Sequence, residues 1–174
     1  MTFGIICAMP EELHALNERL TDRTETVLGG KTYLAGTIEN QAVVLVESGI
    51  GKVEAGITAE HLITDFKVDV VINSGSAGGI GEGLHVGDVV IATETAYHDV
   101  DVTAFGYEYG QLPAQPARFS ADPTWVERIS EAGKETGLNI KQGLIVTGDQ
   151  FVSSKAMIQQ IKARFNDALS SEME

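Results

Sequence analysis

The carboxylates near the start of the chain have the greatest potential for chemistry. Glu11 and Glu12 follow an apolar run at residues 3–8 and stand where a helix is predicted to begin. Acidic side chains at that position match the positive end of the helix dipole, which is a purely structural role. If one of them faces the strand ends instead, it is placed to act as a general base. The residue types alone leave both interpretations open.

A second pair of carboxylates stands at the other end of the chain. Glu172 and Glu174 alternate in a short β-like segment, so their side chains are expected to point to opposite sides. One of the two can then face a pocket while the other is in solvent. The sequence does not say which.

Two glycine-rich segments follow predicted strands. Residues 75–79 (GSAGG) come after the apolar run at 68–72, where backbone N–H groups can approach a ligand, although a plain tight turn explains them equally well. Residues 48–52 (SGIGK) resemble a phosphate-binding loop only in part. Val46 stands where that motif needs its first glycine, and Val53 where it needs a hydroxyl group. A nucleoside triphosphate site is therefore disfavoured.

Aromatic and histidine side chains offer weaker signals. Phe151 follows the apolar run at 143–147 and is suited either to stacking on a planar base or to the core. His98 lies close to Asp99 and Asp101, which fits a site or an ordinary polar loop. The four histidines show no metal-ligand spacing; they are His14, His61, His85 and His98.

The elements that must position these residues alternate between strands and helices. Short continuous apolar runs predict strands buried on both faces; they are residues 3–8, 42–46, 68–72, 88–92 and 143–147. Residues 32–38 are expected to form a hairpin with 42–46, so the sheet should be mixed. Helices are predicted at residues 10–20, 52–66, 123–136 and 153–165. This order predicts an α/β fold, a three-layer α/β/α sandwich with a central mixed sheet.

One long segment fits neither pattern. Residues 97–121 contain closely spaced aromatics and prolines without a clear period. Irregular loops of that length inside a compact domain are usually functional or interfacial.

Composition sets the remaining limits. A chain of 174 residues suits a single domain over residues 1–174, and a net charge of −13 makes nucleic acid a poor partner. No apolar stretch approaches the length of a membrane span, and no secretory signal is recognisable, so we expect no membrane association and a cytoplasmic location. The single cysteine, Cys7, is expected in the core of the first strand.

Taken in order, several segments resemble the 5′-methylthioadenosine/S-adenosylhomocysteine nucleosidases of the nucleoside phosphorylase superfamily. The matching segments are GIICAMPEE at 4–12, SGIGK at 48–52, NSGSAGG at 73–79, His98 with DVTAFGYEYGQLP at 101–113, TGDQF at 147–151 and EME at 172–174. Each segment is weak evidence by itself, but the ordered set spans the whole chain.

The resemblance implies hydrolysis of methylthioadenosine and S-adenosylhomocysteine to adenine and a thioribose product, without metal or cofactor. It implies that Glu12 activates the attacking water and that Glu174 holds the ribose hydroxyls beside Met173. The base would stack on Phe151 and be read by the backbone of Val152. Further implied contacts are Ser76, Ala77 and Gly78 near base and sugar, and Ile50 beside the alkylthio group. The resemblance also implies a homodimer in which the neighbouring subunit supplies Val102, Phe105, Tyr107 and Pro113.

One departure from the family pattern concerns the leaving base. In the family, N7 of the leaving adenine is protonated by an aspartate that lies well beyond the position of Glu174. The same C-terminal region of the family also contains a further strand and the closing helices. From the sequence we therefore expect a C-terminally truncated chain, with turnover lower by roughly two to four decades.

Two alternatives to a nucleosidase stay open. One is a phosphate-dependent nucleoside phosphorylase, although the acidic residues after the first strand are unsuited to phosphate. The other is a non-catalytic fragment that binds a nucleoside or dimerises.

Overall fold

The computed structural model describes residues 1–174, which form two compact units. Unit 1 comprises residues 1–76 together with Glu174, and unit 2 comprises residues 77–173. Each unit contains a five-stranded sheet with both parallel and antiparallel pairs. The predicted α/β fold with mixed pairing is confirmed, with the strands divided between two sheets. The single domain over 1–174 stays a prediction.

The sheet of unit 1 is built from five strands in the order β2-β3-β4-β1-β5. Strand β1 is parallel to β4 and β5, whereas β2, β3 and β4 form an antiparallel meander, so the predicted hairpin is confirmed. The elements are β1 (Thr2–Cys7), α1 (Pro10–Glu18), β2 (Thr21–Leu28), β3 (Lys31–Ile38), β4 (Gln41–Glu47), α2 (Lys52–Thr64) and β5 (Val70–Asn73).

The sheet of unit 2 has the order β6-β10-β9-β7-β8. Its three central strands are parallel, and the two short edge strands are antiparallel to them. The elements are β6 (Gly78–Gly79), β7 (Val89–Tyr97), β8 (Phe119–Ser120), α3 (Pro123–Glu135), β9 (Ile140–Thr147), α4 (Lys155–Arg164) and β10 (Ala168–Glu172). Residues 98–118 join β7 to β8 and are called the long loop below; they include a 3₁₀ turn at Thr103–Phe105.

Apolar cores explain why the buried strands were predictable. In unit 1, Val44, Val46 and Leu62 are buried in one cluster, which brings α2 against the sheet. In unit 2, Val146 and Ile161 belong to a core between β9 and α4. Helices α3 and α4 are capped at their N-termini by polar side chains. Asp122 accepts hydrogen bonds from backbone N–H groups in the first turn of α3, and Ser154 accepts one from the first turn of α4.

Strand β2 was not predicted, because seven of its eight residues are exposed and no apolar alternation marks it. Strand β7 continues beyond the predicted end at residue 92 through an irregularity between Ala92 and Glu94. Helices α2 and α3 are the longest, with 13 residues each, and none of the helices has the length and apolar character that a membrane crossing requires.

Cys7 is fully buried at the end of β1, as predicted. Burial and the negative charge of Glu12 raise the pKa of its thiol from 9.0 to about 11. Because the thiolate is the reactive form, we predict that the native chain at pH 8 reacts with a disulfide reagent at least about 100-fold more slowly than the urea-unfolded chain. Absorbance of the released thiol measures both rates. Comparable rates in the two states would contradict the burial of Cys7.

Candidate functional site

Three segments of unit 1 meet at the carboxyl ends of its parallel strands. The backbone N–H of Ser48, after β4, donates to the carbonyl of Cys7 at 2.8 Å. The N–H of Ser74, after β5, donates to the carbonyl of Ile6 at 2.9 Å. These bonds extend the strand pairing into the connecting segments. The connections after β1, β4 and β5 are therefore neighbours, at the edge where α/β sheets usually bind ligands.

The carboxylate of Glu12 joins two of these segments. One oxygen, Oε1, accepts from the backbone N–H of Ser76 at 2.7 Å and from its hydroxyl at 2.8 Å. The other oxygen, Oε2, accepts from the N–H groups of Ala8 at 3.0 Å and Met9 at 3.1 Å. Both oxygens are thus held by donors, and the orientation of the carboxylate is defined by groups at the ends of two strands.

This environment favours the ionised form of Glu12. Partial burial acts to raise its pKa, but the hydrogen bonds from Ser76, Met9 and Ala8 outweigh burial and hold the pKa below the ordinary value of 4.5. Hydrogen bonds to a charged acceptor are stronger than those to a neutral one, which explains the direction. Glu12 is therefore a carboxylate near neutral pH.

Glu12 belongs to the first turn of α1 and also contacts the segment after β5. Met9 has an extended backbone, and α1 begins at Pro10, so Glu12 lies in the first helical turn. Its carboxylate accepts a hydrogen bond from the backbone N–H of Met9, the residue that precedes the helix. The same side chain reaches across to Ser76 after β5. Its neighbour Glu11 is exposed to solvent.

Gly75 makes the contact between Ser76 and Glu12 possible. A Cβ atom at Gly75 would lie 2.8 to 2.9 Å from the carboxylate atoms of Glu12, closer than a real Cβ contact. The sequence indicates this glycine only as part of a glycine-rich loop. Its position directly after an apolar strand was the available signal, but the partner of the close approach could not be read from the sequence.

The other predicted residues of unit 1 are placed as follows. Ile50 lies between β4 and α2 and is 57% exposed, flanked by Gly49 and Gly51 at positive φ. Glu174 follows β10 and is partly buried. Of the predicted site residues of unit 1, Glu12 and Ser76 are in direct contact through hydrogen bonds.

In unit 2, Phe151 lies just after β9 and is 77% exposed, so the core interpretation of this side chain is wrong. Val152 is partly buried against the core of unit 2. The segment between β9 and Phe151 is fixed by Asp99, whose carboxylate accepts a hydrogen bond of 2.7 Å from the backbone N–H of Asp149. The sequence alone leaves the role of Asp99 open between a site and a polar loop.

The remaining predicted contacts of unit 2 lie on β6, β10 and the long loop. Gly78 pairs with Ser171 of β10, and Ala77 precedes it in an exposed segment. Met173 is partly buried directly after β10. In the long loop, Phe105 is 82% exposed and Pro113 is exposed, whereas two further predicted residues are partly buried; these are Val102 and Tyr107.

A cavity of about 430 Å³ lies elsewhere in unit 2, beside α3. Its lining includes Ser130, Lys134 and Gln142, and none of the predicted site residues. Gln142 donates a hydrogen bond of 2.6 Å to the buried hydroxyl of Ser130, which gives these polar groups a structural partner. We assign no function to this cavity.

Comparison with known proteins gives a consistent picture. A sequence model of the phosphorylase superfamily matches residues 2–174. A 5′-methylthioadenosine/S-adenosylhomocysteine nucleosidase of Actinobacillus succinogenes is 48% identical over 174 residues, which is 100% of this chain and 76% of the relative.

Solved structures agree with that match. The nucleosidase from S. pneumoniae with the transition-state inhibitor MT-ImmA has a TM-score of 0.95 and 52% identity, covering 100% of this chain and 76% of that one. The nucleosidase from Neisseria meningitidis in complex with methylthio-immucillin-A has a TM-score of 0.97 and 45% identity, covering 99% and 75%.

The hydrogen bonds around Glu12 predict a pH-dependent contribution to stability. Its folded-state pKa lies below 4.5, so ionisation of Glu12 favours the folded state above that pH, and the contribution is lost as the pH falls through the folded-state pKa. We expect Glu12→Gln to lower the free energy of unfolding by about 1 kcal/mol at pH 7, and the difference from wild type to shrink below pH ~4.5. Urea denaturation across this pH range measures the difference.

Glu11→Gln is the matched control, because Glu11 is the exposed neighbour in the same helical turn. It should change the unfolding free energy by no more than about 0.5 kcal/mol at pH 7. An equal effect of both substitutions, or a Glu12 effect that does not vary with pH, would show that the four hydrogen bonds do not stabilise the ionised carboxylate.

Proposed function

The chain belongs to the phosphorylase superfamily and, within it, to the 5′-methylthioadenosine/S-adenosylhomocysteine nucleosidases, and on this premise we propose that it hydrolyses the N-glycosidic bond of these two nucleosides. The observation that carries the proposal is the Glu12 carboxylate, held ionised by Ser76, Ala8 and Met9 at the strand ends. Solved structures of the S. pneumoniae relative contain a transition-state inhibitor or 8-aminoadenine.

Hydrolysis of this bond places positive charge on the ribose as the base departs. An oriented carboxylate stabilises that charge and accepts a proton from the attacking water. The carbon–nitrogen bond breaks and the water oxygen bonds to the anomeric carbon; the proton that water gives to Glu12 is balanced by a proton that solvent supplies to the departing adenine. In this proposal Glu12 serves the water and the ribose cation, and Glu174 holds the ribose hydroxyls beside Met173.

The base and the 5′ substituent need apolar surfaces. The exposed ring of Phe151 is available to stack on adenine, with the Val152 backbone reading the edge of the base. Ile50 is proposed to contact the alkylthio group, for which its 57% exposure leaves it available. Ser76, Ala77 and Gly78 are proposed to line base and sugar. No cofactor or metal enters these steps.

We further propose that the chain acts as a homodimer. Val53 and Ile57, one turn apart on α2, are 71% and 47% exposed, and Ile50 precedes them. Isolated exposed apolar residues are ordinary, but three in one stretch are typical of an interface. In the dimer, Val102, Phe105, Tyr107 and Pro113 of the long loop would enter the substrate pocket of the second copy.

The phosphorylase alternative is disfavoured by charge. Phosphate requires cationic groups and free donors, yet the donors at these strand ends are occupied by Glu12. Lys31, the partly buried cation nearby, is paired with Glu54 and with the carbonyl of Ser48.

A reducing compartment such as the cytoplasm suits the single free thiol of Cys7.

The activity is tested by adenine release from methylthioadenosine with the purified 174-residue chain. We expect release that does not depend on added phosphate, and a loss of about 100- to 10,000-fold in kcat/KM for Glu12→Gln. Glu11→Gln should keep the wild-type rate. The turnover number of this chain, measured beside that of the S. pneumoniae enzyme, tests the lower turnover expected from the sequence. Release that requires phosphate would favour a phosphorylase, and binding without release, seen by calorimetry, would favour a non-catalytic fragment.

The dimer is tested by a charge on α2. We expect Ile57→Glu to shift the mass in sedimentation equilibrium from two chains toward one, because a carboxylate buried in an apolar interface lacks a partner. Leu138→Glu is the control, since Leu138 is 48% exposed, close to the 47% of Ile57, and lies in the connection between α3 and β9. A wild-type chain that sediments as a monomer would contradict the homodimer.

A further inference from the structure

The long loop closes on itself near its base. The N–H of Gly110 donates to the carbonyl of Val100 at 2.9 Å, so the two ends of this segment lie side by side. Gly110 is buried with a φ of 89°, and a Cβ atom there would lie 2.5 Å from the carbonyl of Tyr97 and 2.9 Å from the ring of Phe165. The segment 100–110 is thus a compact Ω-like loop seated on the C-terminal end of α4.

Tyr109 is the side chain that fastens this loop to α4. Its ring packs against the core of unit 2, with its centroid 6.3 Å from that of Phe165, which is 5% exposed. The guanidinium of Arg164, the last residue of α4, lies over the same ring with Cζ 3.8 Å from the centroid. A cavity of about 230 Å³ lies beside these side chains and is also lined by Arg118.

Arg164 also acts on the beginning of the loop. The carboxylate of Asp101 accepts hydrogen bonds from the N–H of Thr103 at 3.1 Å and from its hydroxyl at 2.6 Å, which holds the 3₁₀ turn that carries Phe105. Those two bonds, with the charge of Arg164, hold the pKa of Asp101 below its usual range. One cation therefore lies near both ends of the segment that displays Phe105.

We propose that Arg164 is a positioning residue for the long loop: by stacking on Tyr109 and attracting Asp101, it holds the loop in the conformation that presents Phe105 to the second copy. This inference rests on the proposed nucleosidase and its dimer. The arginine itself touches no substrate. Its effect on the reaction is transmitted by the loop and is felt in the pocket of the partner subunit.

The geometry separates this role from a general contribution to folding. Arg164 is exposed, whereas the neighbouring Phe165 supplies the buried contact with the core. The chain also offers a matched control, because Arg128 on α3 lies over Trp125 with Cζ 5.0 Å from the ring centroid. The two arginines make the same kind of contact in unit 2, but only Arg164 contacts the long loop.

The hold on the loop is tested by hydrogen exchange, which does not need activity. We expect Arg164→Ala to speed exchange of the amides of residues 101–109 about two- to fivefold, the range for an exposed cation–aromatic contact, with β9 unchanged. Arg164→Lys should give an intermediate effect, because it keeps the charge but not the planar stacking group. Loop exchange that is unchanged in Arg164→Ala, or equally fast in Arg128→Ala, would overturn the proposal.

The effect on the partner's pocket is tested by mixed dimers. We expect Arg164→Ala alone to raise KM for methylthioadenosine about two- to fivefold with little change in kcat, and Arg128→Ala to change neither. In a dimer of one Arg164→Ala chain and one Glu12→Gln chain, only the pocket of the Arg164→Ala chain keeps Glu12. That pocket receives the long loop of the Glu12→Gln chain, in which Arg164 is intact. Its KM should return to the wild-type value.

A KM in the mixture that stays at the Arg164→Ala value would overturn the action on the partner subunit. Wild-type chain that releases no adenine would instead overturn the proposed function. In that case the hydrogen exchange of residues 101–109 would still decide whether Arg164 holds the loop.

Discussion

The carboxylate of Glu12 accepts hydrogen bonds from backbone groups that follow two different strands, and this requirement constrains how β1 and β5 are arranged. Ala8 and Met9 follow β1, whereas Ser76 follows β5, and the two strands are paired in parallel with Ile6 opposite Asn73. A slip of one residue between them would displace Ser76 by about 3.3 Å, more than the tolerance of a hydrogen bond. The register of the sheet and the orientation of this one side chain therefore depend on each other.

In the proposed nucleosidase reaction, the same contacts determine what Glu12 can do as a base. Donors that lower a carboxylate's pKa keep it ionised but also weaken its affinity for a proton. Such a group is better suited to stabilising positive charge on a ribose and orienting water than to removing a proton from a poor acid. This matches a reaction in which the departing base leads and the water follows, because the water becomes acidic only as it bonds to the cation.

The parts of the molecule that sequence predicted are those determined locally. The β3–β4 hairpin follows from its apolar strands and from Glu39 and Asn40, both at positive φ, as a tight hairpin turn requires. Strand β2 escaped prediction because its existence depends on pairing with β3 and not on burial of its own side chains. In the site, Glu12 and Ser76 were predicted through a family resemblance, but the need for Gly75 to lack a side chain is a tertiary fact. Arg164 carried no signal at all, since its partner Tyr109 is distant in the sequence and the contact depends on how α4 ends.

The backbone bond between Gly110 and Val100 divides the long loop into a base and a tip. The base packs closely against Tyr97 and Phe165, while the turn that carries Phe105 is held by the hydrogen bonds from Thr103 to Asp101 and by the contact of Arg164 with Tyr109. Insertions, deletions or exchanges within the tip can therefore accumulate without a penalty to the sheet beneath. The same division makes Val100 and Gly110 the points at which a different tip can be grafted onto this scaffold, and such a graft would change what a neighbouring copy receives without altering the pairing of β7 with β9.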